Sequence, residues 1–401
     1  MRLAKILPFL VPLVWACTGR TPTDSSSRPA SPASPKVAKL RSMVEFLASP
    51  EMRGRLVGTP ENHRAAGWIA GRFEEIGLGP VGGGSWFHDF KFRGKTARNV
   101  AGILRPETGR DEYVIVAAHH DGLGTRGGKV FAGADDNASG VAAVLLLAEM
   151  LAGERARLRR NVVFVSFDAE EKGMVGSRHF VSRGVIPLET TRFMMVFDLL
   201  AGRFVPWDQN RVYVMGSEHC PEVRRILEQR IRESELDVRI FGTWILEPAG
   251  PLFARSDYQA YRVKGVPYLF LSTATPWYYH TVHDTPARLD YEKLARNVQF
   301  AHGVLLDIAN TDTVLEFQKR PEPELNDAAS MLELIQGFFE HDELLRDLGP
   351  DERKATEDAM TEHLEKLRGI ADRGSINRGD RRTVHRALMT IFKIVSRYRP
   401  R

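Results

Sequence analysis

The chain has 401 residues, of which 43% are hydrophobic and 27% charged, which allows one large α/β domain with additional segments. The net charge of +5 is small for this length, and Lys and Arg are scattered without interleaved aromatic residues, so nucleic acid binding is not indicated. Beyond the amino terminus no apolar run reaches about 18 residues, so no transmembrane helix is predicted.

The amino terminus has the layout of an export signal. Residues 1–5 form a short segment with the positive charges of Arg2 and Lys5. Residues 6–16 form an apolar segment that is too short to span a bilayer as a helix. The segment Val14-Trp15-Ala16-Cys17 resembles a bacterial lipobox, with Trp15 as an unusual occupant. We therefore predict a lipoprotein signal peptide over 1–17 and an exported bacterial lipoprotein, periplasmic or at the cell surface, that is anchored to the membrane at Cys17. The alternative is an ordinary signal peptide cut near Ala16.

The segment that follows is predicted to be a flexible tether. Residues 18–37 are rich in Ser, Pro and Thr and cannot build a core. With Cys17 lipidated, Cys220 is the only other cysteine, so no intramolecular disulfide is expected.

Strand and helix patterns alternate along residues 38–312. Helices are predicted over 37–49, from Thr59-Pro60 to Gly77, over 221–234 and over 290–309, and strands over 86–92, 99–104, 113–118, 161–167, 193–197, 211–215 and 266–271. This alternation predicts an α/β fold with a mostly parallel central sheet flanked by helices. Residues 313–401 contain almost no strand signal and are predicted to be an all-helical C-terminal extension with helices over 326–348, 350–372 and 378–397.

The segment from Tyr113 to Met150 carries the clearest chemical signal. A buried strand ends on His119, and Asp135 and Asp136 stand directly before a helix. Two adjacent carboxylates repel each other unless a cation or a proton compensates them. They could instead be helix caps, but capping needs only one of them and does not need His119.

Further acidic and imidazole groups follow the other predicted strands or precede the final helix. The complete set is His119, Asp136, Glu170, Glu171, Asp198 and His280. Oxygen and imidazole ligands without sulfur suit a catalytic zinc site, with Mn²⁺ or Co²⁺ as possible substitutes. Five ligands fit two metal ions that share a carboxylate, which would leave the sixth group free as a general base.

Six motifs resemble those of the M28 family of co-catalytic zinc peptidases, over roughly residues 38–312. They are Ala118-His119-His120-Asp121, Gly133-Ala134-Asp135-Asp136-Asn137-Ala138-Ser139-Gly140, Ala169-Glu170-Glu171-Lys172-Gly173-Met174-Val175-Gly176-Ser177, Phe197-Asp198-Leu199-Leu200, Arg255-Ser256-Asp257-Tyr258 and Tyr279-His280-Thr281-Val282-His283-Asp284-Thr285. The resemblance implies a zinc-exopeptidase-like fold. One departure is Tyr258, where the family has a histidine, and this predicts at most a change in the substrate pocket.

The resemblance also implies a role for each site residue. His119 and Asp198 would bind one Zn²⁺, Glu171 and His280 the other, and Asp136 would bridge both. Glu170 would be the general base that takes a proton from water, and Asp121 would be the carboxylate that orients His119. Tyr279 and Arg255 would contact the substrate.

Other polar residues near these motifs are predicted to support the site without binding metal. The side chain of His120 points away from that of its neighbour on a strand. His283 and Asp284 are expected to support the loop of His280. Asp135 and Asp168 are expected to be acids at the start of a helix that support the metal ligands.

The favoured function is a two-zinc exopeptidase, in particular an aminopeptidase, acting on a peptide or protein substrate. Membrane contact is expected through the lipid anchor only, and the sequence does not indicate an oligomeric state. One alternative is a glutaminyl-cyclase-like acyltransferase, for which a single zinc suffices. The other is a non-catalytic binding lipoprotein, which would be expected to lack a ligand or Glu170.

Overall fold

A large β-sheet organises the molecule. The computed structural model describes residues 34–82, 84–246, 256–321, 324–346 and 348–398. Within these ranges the strands are β1 (Gly79–Pro80), β2 (Phe87–Phe92), β3 (Lys95–Leu104), β4 (Arg110–His119), β5 (Gly124–Arg126), β6 (Lys129–Phe131), β7 (Arg160–Phe167), β8 (Thr191–Phe197), β9 (Arg211–Met215), β10 (Asp237–Phe241) and β11 (Tyr268–Ser272). The signal peptide, Cys17 and Arg255 lie outside the described residues, as does nearly all of the proposed tether.

The strand order in the sheet is β1-β3-β7-β4-β8-β11-β9-β10, with β2 paired to the outer side of β3. The four central strands β7, β4, β8 and β11 run parallel to one another. Antiparallel pairs join β3 to β7 and β11 to β9. The predicted α/β fold is thus confirmed, with a mixed sheet whose parallel part is its centre.

The described helices cover both faces of this sheet. They are α1 (Pro35–Leu47), α2 (Pro60–Ile76), α3 (Gly140–Ala152), α4 (Val175–Ser182), α5 (Pro221–Arg232), α6 (Tyr258–Arg262), α7 (Tyr291–Asn310), α8 (Leu325–Glu340), α9 (Pro350–Arg373) and α10 (Arg381–Arg397). No described helix combines the length and the apolar character that crossing a bilayer requires.

Alternating side chains of the central strands build two separate cores. On β4, Val114 and Val116 face a core completed by α1, α2, α3, α5 and α7, whereas Ile115 faces the opposite core. That second core contains apolar residues of α4, α6 and the three C-terminal helices α8, α9 and α10. Both faces of β4 are buried, which explains its nearly continuous apolar sequence.

Local sequence signals place the helix ends. Thr59 caps α2 by accepting a hydrogen bond from the backbone N–H of Asn62, and Gly77 ends the helix in the left-handed conformation. The first helix begins at Pro35, so the last residues of the predicted tether are helical. The predicted helix over 326–348 ends earlier, at Glu340.

Candidate active site

Three neighbouring parallel strands deliver chemically active side chains to one edge of the sheet. His119 is the last residue of β4, Glu170 and Glu171 lie in the turn after β7, and Asp198 directly follows β8. Because β7, β4 and β8 are adjacent and parallel, their carboxyl ends meet there. The sheet therefore brings together four residues from three segments that are far apart in sequence.

Asp136 reaches the same place from the turn Ala134–Ser139, which leads into α3. The carboxylate of Asp284 holds this turn by accepting hydrogen bonds from the backbone N–H groups of Asp135 (2.7 Å) and Asp136 (3.1 Å). Asp284 also contacts the loop of His280, which it is predicted to support, because its backbone N–H donates to the carbonyl oxygen of Thr281 at 3.4 Å.

Asp136 lies between two histidines. Its Oδ1 is 3.4 Å from Nε2 of His119, and its Oδ2 is 3.1 Å from Nε2 of His280. Asp198 completes a triad with His119, and Glu171 completes a second triad with His280; in each triad the ligand atoms lie within 4.8 Å of one another. The structure thus groups the five predicted ligands into two triads that share Asp136.

The chemistry of this donor set suits divalent metal ions. Nε2 of His119 is buried without a hydrogen-bond partner, as expected of an atom reserved for a ligand. Although burial disfavours a charged imidazole, nearby carboxylates, Glu170 first, raise the pKa of His119 well above its usual range. Burial raises the pKa of Glu171 and Asp198. Several carboxylates thus share a buried space, and a bound cation would offset their mutual repulsion.

Glu170 is the carboxylate left out of the two triads. Its Oε2 lies 3.9 Å from Nε2 of His119, at the border of the cluster. The carboxylate of Asp121 fixes the turn by accepting hydrogen bonds from the backbone N–H groups of Glu170 (2.9 Å) and Glu171 (3.3 Å). Asp121 also lies 3.6 Å from Nδ1 of His119, which is the neighbour predicted for it.

The remaining predicted residues surround this cluster. The ring of Tyr279 stacks on that of His280 at 3.8 Å between centroids. Burial and the nearby carboxylates raise the pKa of Tyr279, so its hydroxyl stays protonated and can donate a hydrogen bond. Ser256 donates to Oδ2 of Asp198 at 2.9 Å. Tyr258, the departure from the family motif, stacks on Tyr268 in the core at 5.0 Å and is fully buried.

The other polar neighbours contact protein groups. The ring of His120 lies 3.0 Å from the hydroxyl of Ser166, and burial lowers its pKa to about 3. Asp135 accepts hydrogen bonds from the backbone N–H of Ala201 (2.9 Å) and the hydroxyl of Ser139 (3.1 Å). Asp168 accepts from the backbone N–H of Arg98 at 2.8 Å, away from both triads.

One supporting residue had no recognised signal in the sequence. Arg55 is fully buried. Its guanidinium donates hydrogen bonds of 2.5–2.8 Å to the backbone carbonyl oxygens of Leu47, His120, Ala132 and Gly133. It thereby ties the end of β4 to the segment that enters the turn of Asp136. Arginine suits this position because one planar group offers five donors.

Proteins with known sequences resemble this chain over limited segments. The probable lipoprotein aminopeptidase LpqL of Mycobacterium tuberculosis is 29% identical over 175 residues, which are 43% of this chain and 33% of LpqL. Three curated relatives are matched over 18% to 33% of their own lengths, so the similarity covers a third or less of those proteins.

Solved structures resemble the fold more extensively. The LapA aminopeptidase of Legionella pneumophila superimposes with a TM-score of 0.55 at 17% identity, covering 72% of this chain and 78% of LapA. The glutaminyl cyclase of Porphyromonas gingivalis gives a TM-score of 0.53 at 16% identity, covering 67% of this chain and 97% of the cyclase. At such identities these likenesses establish a shared fold only.

The family assignment rests on the part of the chain that holds the whole cluster. The family model described as Peptidase family M28 matches residues 99–305, slightly more than half of the 401 residues. This segment contains both triads, Glu170 and Asp121, whereas α8, α9 and α10 lie beyond it. The chain therefore belongs to peptidase family M28.

Proposed function

We propose that the chain is a zinc-dependent exopeptidase that removes amino-terminal residues from peptides or proteins. The observation that carries this proposal is the pair of triads sharing Asp136, with the carboxylate of Glu170 beside them and outside both. The triads would hold two Zn²⁺ ions, with Mn²⁺ or Co²⁺ as chemically possible substitutes. Zinc bound there supplies a Lewis acid for the scissile carbonyl and lowers the pKa of water.

The protein groups around the triads can perform the proton transfers. Glu170 takes a proton from the attacking water as its oxygen bonds to the carbonyl carbon. The same carboxyl group then gives a proton to the amine that leaves when the C–N bond breaks. The hydroxyl of Tyr279 donates a hydrogen bond to the carbonyl oxygen of the substrate, where negative charge develops.

Activity on a substrate panel tests this function. Purified protein should hydrolyse aminoacyl anilides with a free amine, and N-acetylated counterparts should be poor substrates. A chelator should abolish the activity, and added zinc should restore it. Cyclisation of amino-terminal glutaminyl peptides without hydrolysis would support a cyclase of the same fold instead, and inactivity on the whole panel with zinc bound would support a binding protein.

We also propose that the protein is an exported lipoprotein held at the membrane by acyl chains on Cys17. The lipobox-like segment supports this, as does the similarity to LpqL, whose name describes a probable lipoprotein aminopeptidase. Cys17→Ala should release the protein from the membrane fraction or block its processing, because the acyl chains are the proposed anchor. Cys220→Ala is the matched control, since Cys220 is the only other cysteine and lies inside the folded part. A correctly cleaved Cys17→Ala protein that still sediments with membranes would contradict the proposal.

A further inference from the structure

An apolar cavity of about 410 Å³ opens beside the candidate active site. Asp198 and Tyr279 line it, and so do Leu388, Met389 and Phe392 of α10. The cavity lies within the usual volume range of ligand pockets. It therefore links the predicted catalytic residues to helices beyond the segment that matches the family.

Both the sheet and the C-terminal helices contribute walls to this cavity. Phe270 of β11 and Tyr213 of β9 contribute from the sheet, and Met331 and Leu334 contribute from α8. Among the described lining residues Asp198 alone carries a charge, and it belongs to one of the triads. A charged substrate group deep in this cavity would lose its hydration without gaining a partner, which is strongly unfavourable.

Directed contacts hold the helical wall in place. Asp327 of α8 accepts hydrogen bonds from the backbone N–H of Gly242 (2.7 Å) and from Nε1 of Trp244 (3.0 Å). On α10, Nδ1 of His385 lies 2.8 Å from the backbone carbonyl oxygen of Ile245. These contacts fasten both helices to the segment directly after β10. The helical wall of the cavity is therefore a fixed surface, able to select substrates by size.

We propose that this cavity binds a large apolar side chain, aromatic or long aliphatic, of the residue on the amino-terminal side of the scissile bond. Leu388, Met389 and Phe392 of α10 determine how large that side chain can be. This inference rests on the proposed exopeptidase function and adds to it the substrate class and the segment that selects it. The family segment ends at residue 305, so selectivity is assigned to residues outside it.

Kinetics on five aminoacyl 4-nitroanilides test the proposal. The wild type should show kcat/KM at least about 10-fold higher for phenylalanine or leucine than for alanine, because one methylene group in an apolar pocket already changes specificity about 10–200-fold. Glutamate and lysine anilides should be poorer than alanine. Leu388→Trp and Met389→Trp add bulk to the wall and should each lower the phenylalanine-to-alanine ratio at least about 10-fold.

Lys393→Trp is the matched control, because Lys393 is exposed on the same helix and does not line the cavity. It should retain the wild-type ratio. Unchanged ratios in both wall variants, with circular dichroism and thermal midpoints like those of the wild type, would overturn the proposal. So would a preference for glutamate or lysine.

A second measurement separates failure of the pocket from failure of the function. If the wild type hydrolyses none of the anilides, the exopeptidase assignment fails, and calorimetric titration with L-phenylalanine and L-alanine still tests the cavity. Tighter binding of phenylalanine that Leu388→Trp weakens and Lys393→Trp does not would support the apolar site. Equal affinities for the two amino acids would overturn it.

Discussion

Replacing Glu170 with glutamine is expected to lower kcat by about 10²–10⁴ while the protein keeps its fold and its metal content. Glutamine has nearly the shape of glutamate, but its amide cannot take a proton from water. The carboxylate belongs to neither triad, although its Oε2 is 3.9 Å from Nε2 of His119, so its loss should leave both sets of ligands intact. KM should change little, since the amide retains most of the hydrogen bonding of the acid.

Glu171→Gln provides the matched comparison. The backbone N–H groups of Glu170 and Glu171 both donate hydrogen bonds to the carboxylate of Asp121, so the two substitutions disturb the same turn. Glu171 belongs to the triad with His280, and its Oε2 lies 3.4 Å from Nε2 of that histidine. Its substitution should therefore reduce metal retention as well as rate.

Metal analysis by mass spectrometry, together with steady-state kinetics, distinguishes the roles of the two glutamates. Near-normal kcat for Glu170→Gln would remove the general base from the proposed mechanism. Glu170 would then be an acidic residue at the start of a short helical turn, where such a charge contributes about 0.3–1 kcal/mol to stability.

The positions of most candidate ligands follow from sequence pattern because each stands at the end of a buried strand. The apolar runs that form β4, β7 and β8 are visible in the sequence, and parallel strands separated by helices must end at a common edge. That rule places His119, Glu171 and Asp198 together before any coordinates are known. It does not say which of two adjacent acids faces a metal, and only the resemblance to a family separated Glu170 from Glu171.

Long-range contacts made by residues without a periodic pattern could not be predicted. Arg55 lies in a turn and has a positive φ of 50°. Nothing in its local sequence indicates that its guanidinium meets carbonyls of His120 and Gly133. The contact of Asp284 with Asp136 likewise joins residues that are 148 positions apart in the sequence.

The surface against which the C-terminal helices pack could not be predicted from the sequence pattern either. The spacing of Val384, Leu388, Ile391 and Val395 predicts a helix with one apolar face, and α10 has these residues buried. Such a pattern identifies a face that must be covered but not the surface that covers it. The sequence pattern did not predict strand β10. Its Phe241 belongs to the core that contains the buried residues of α10, and it also lines the cavity.

Asp136→Ala is expected to remove both metal ions, because this one carboxylate presents Oδ1 to His119 and Oδ2 to His280. Asp136→Asn keeps the shape of the side chain but removes its negative charge, and it should also lose most bound metal. Asp198→Ala is the control, since Asp198 belongs to one triad only and its loss should chiefly affect one ion.

The measurement is the metal-to-protein ratio after dialysis against zinc-free buffer, with circular dichroism to verify the fold. The wild type should hold two ions per chain, Asp198→Ala about one, and the Asp136 variants close to none. Hydrogen bonds from two backbone N–H groups to Asp284 should hold the turn of Asp136 when the side chain is shortened, so loss of metal need not reflect loss of structure. A folded Asp136→Ala protein that retains two ions would show that the triads hold their metals independently, and the bridging role would then be wrong.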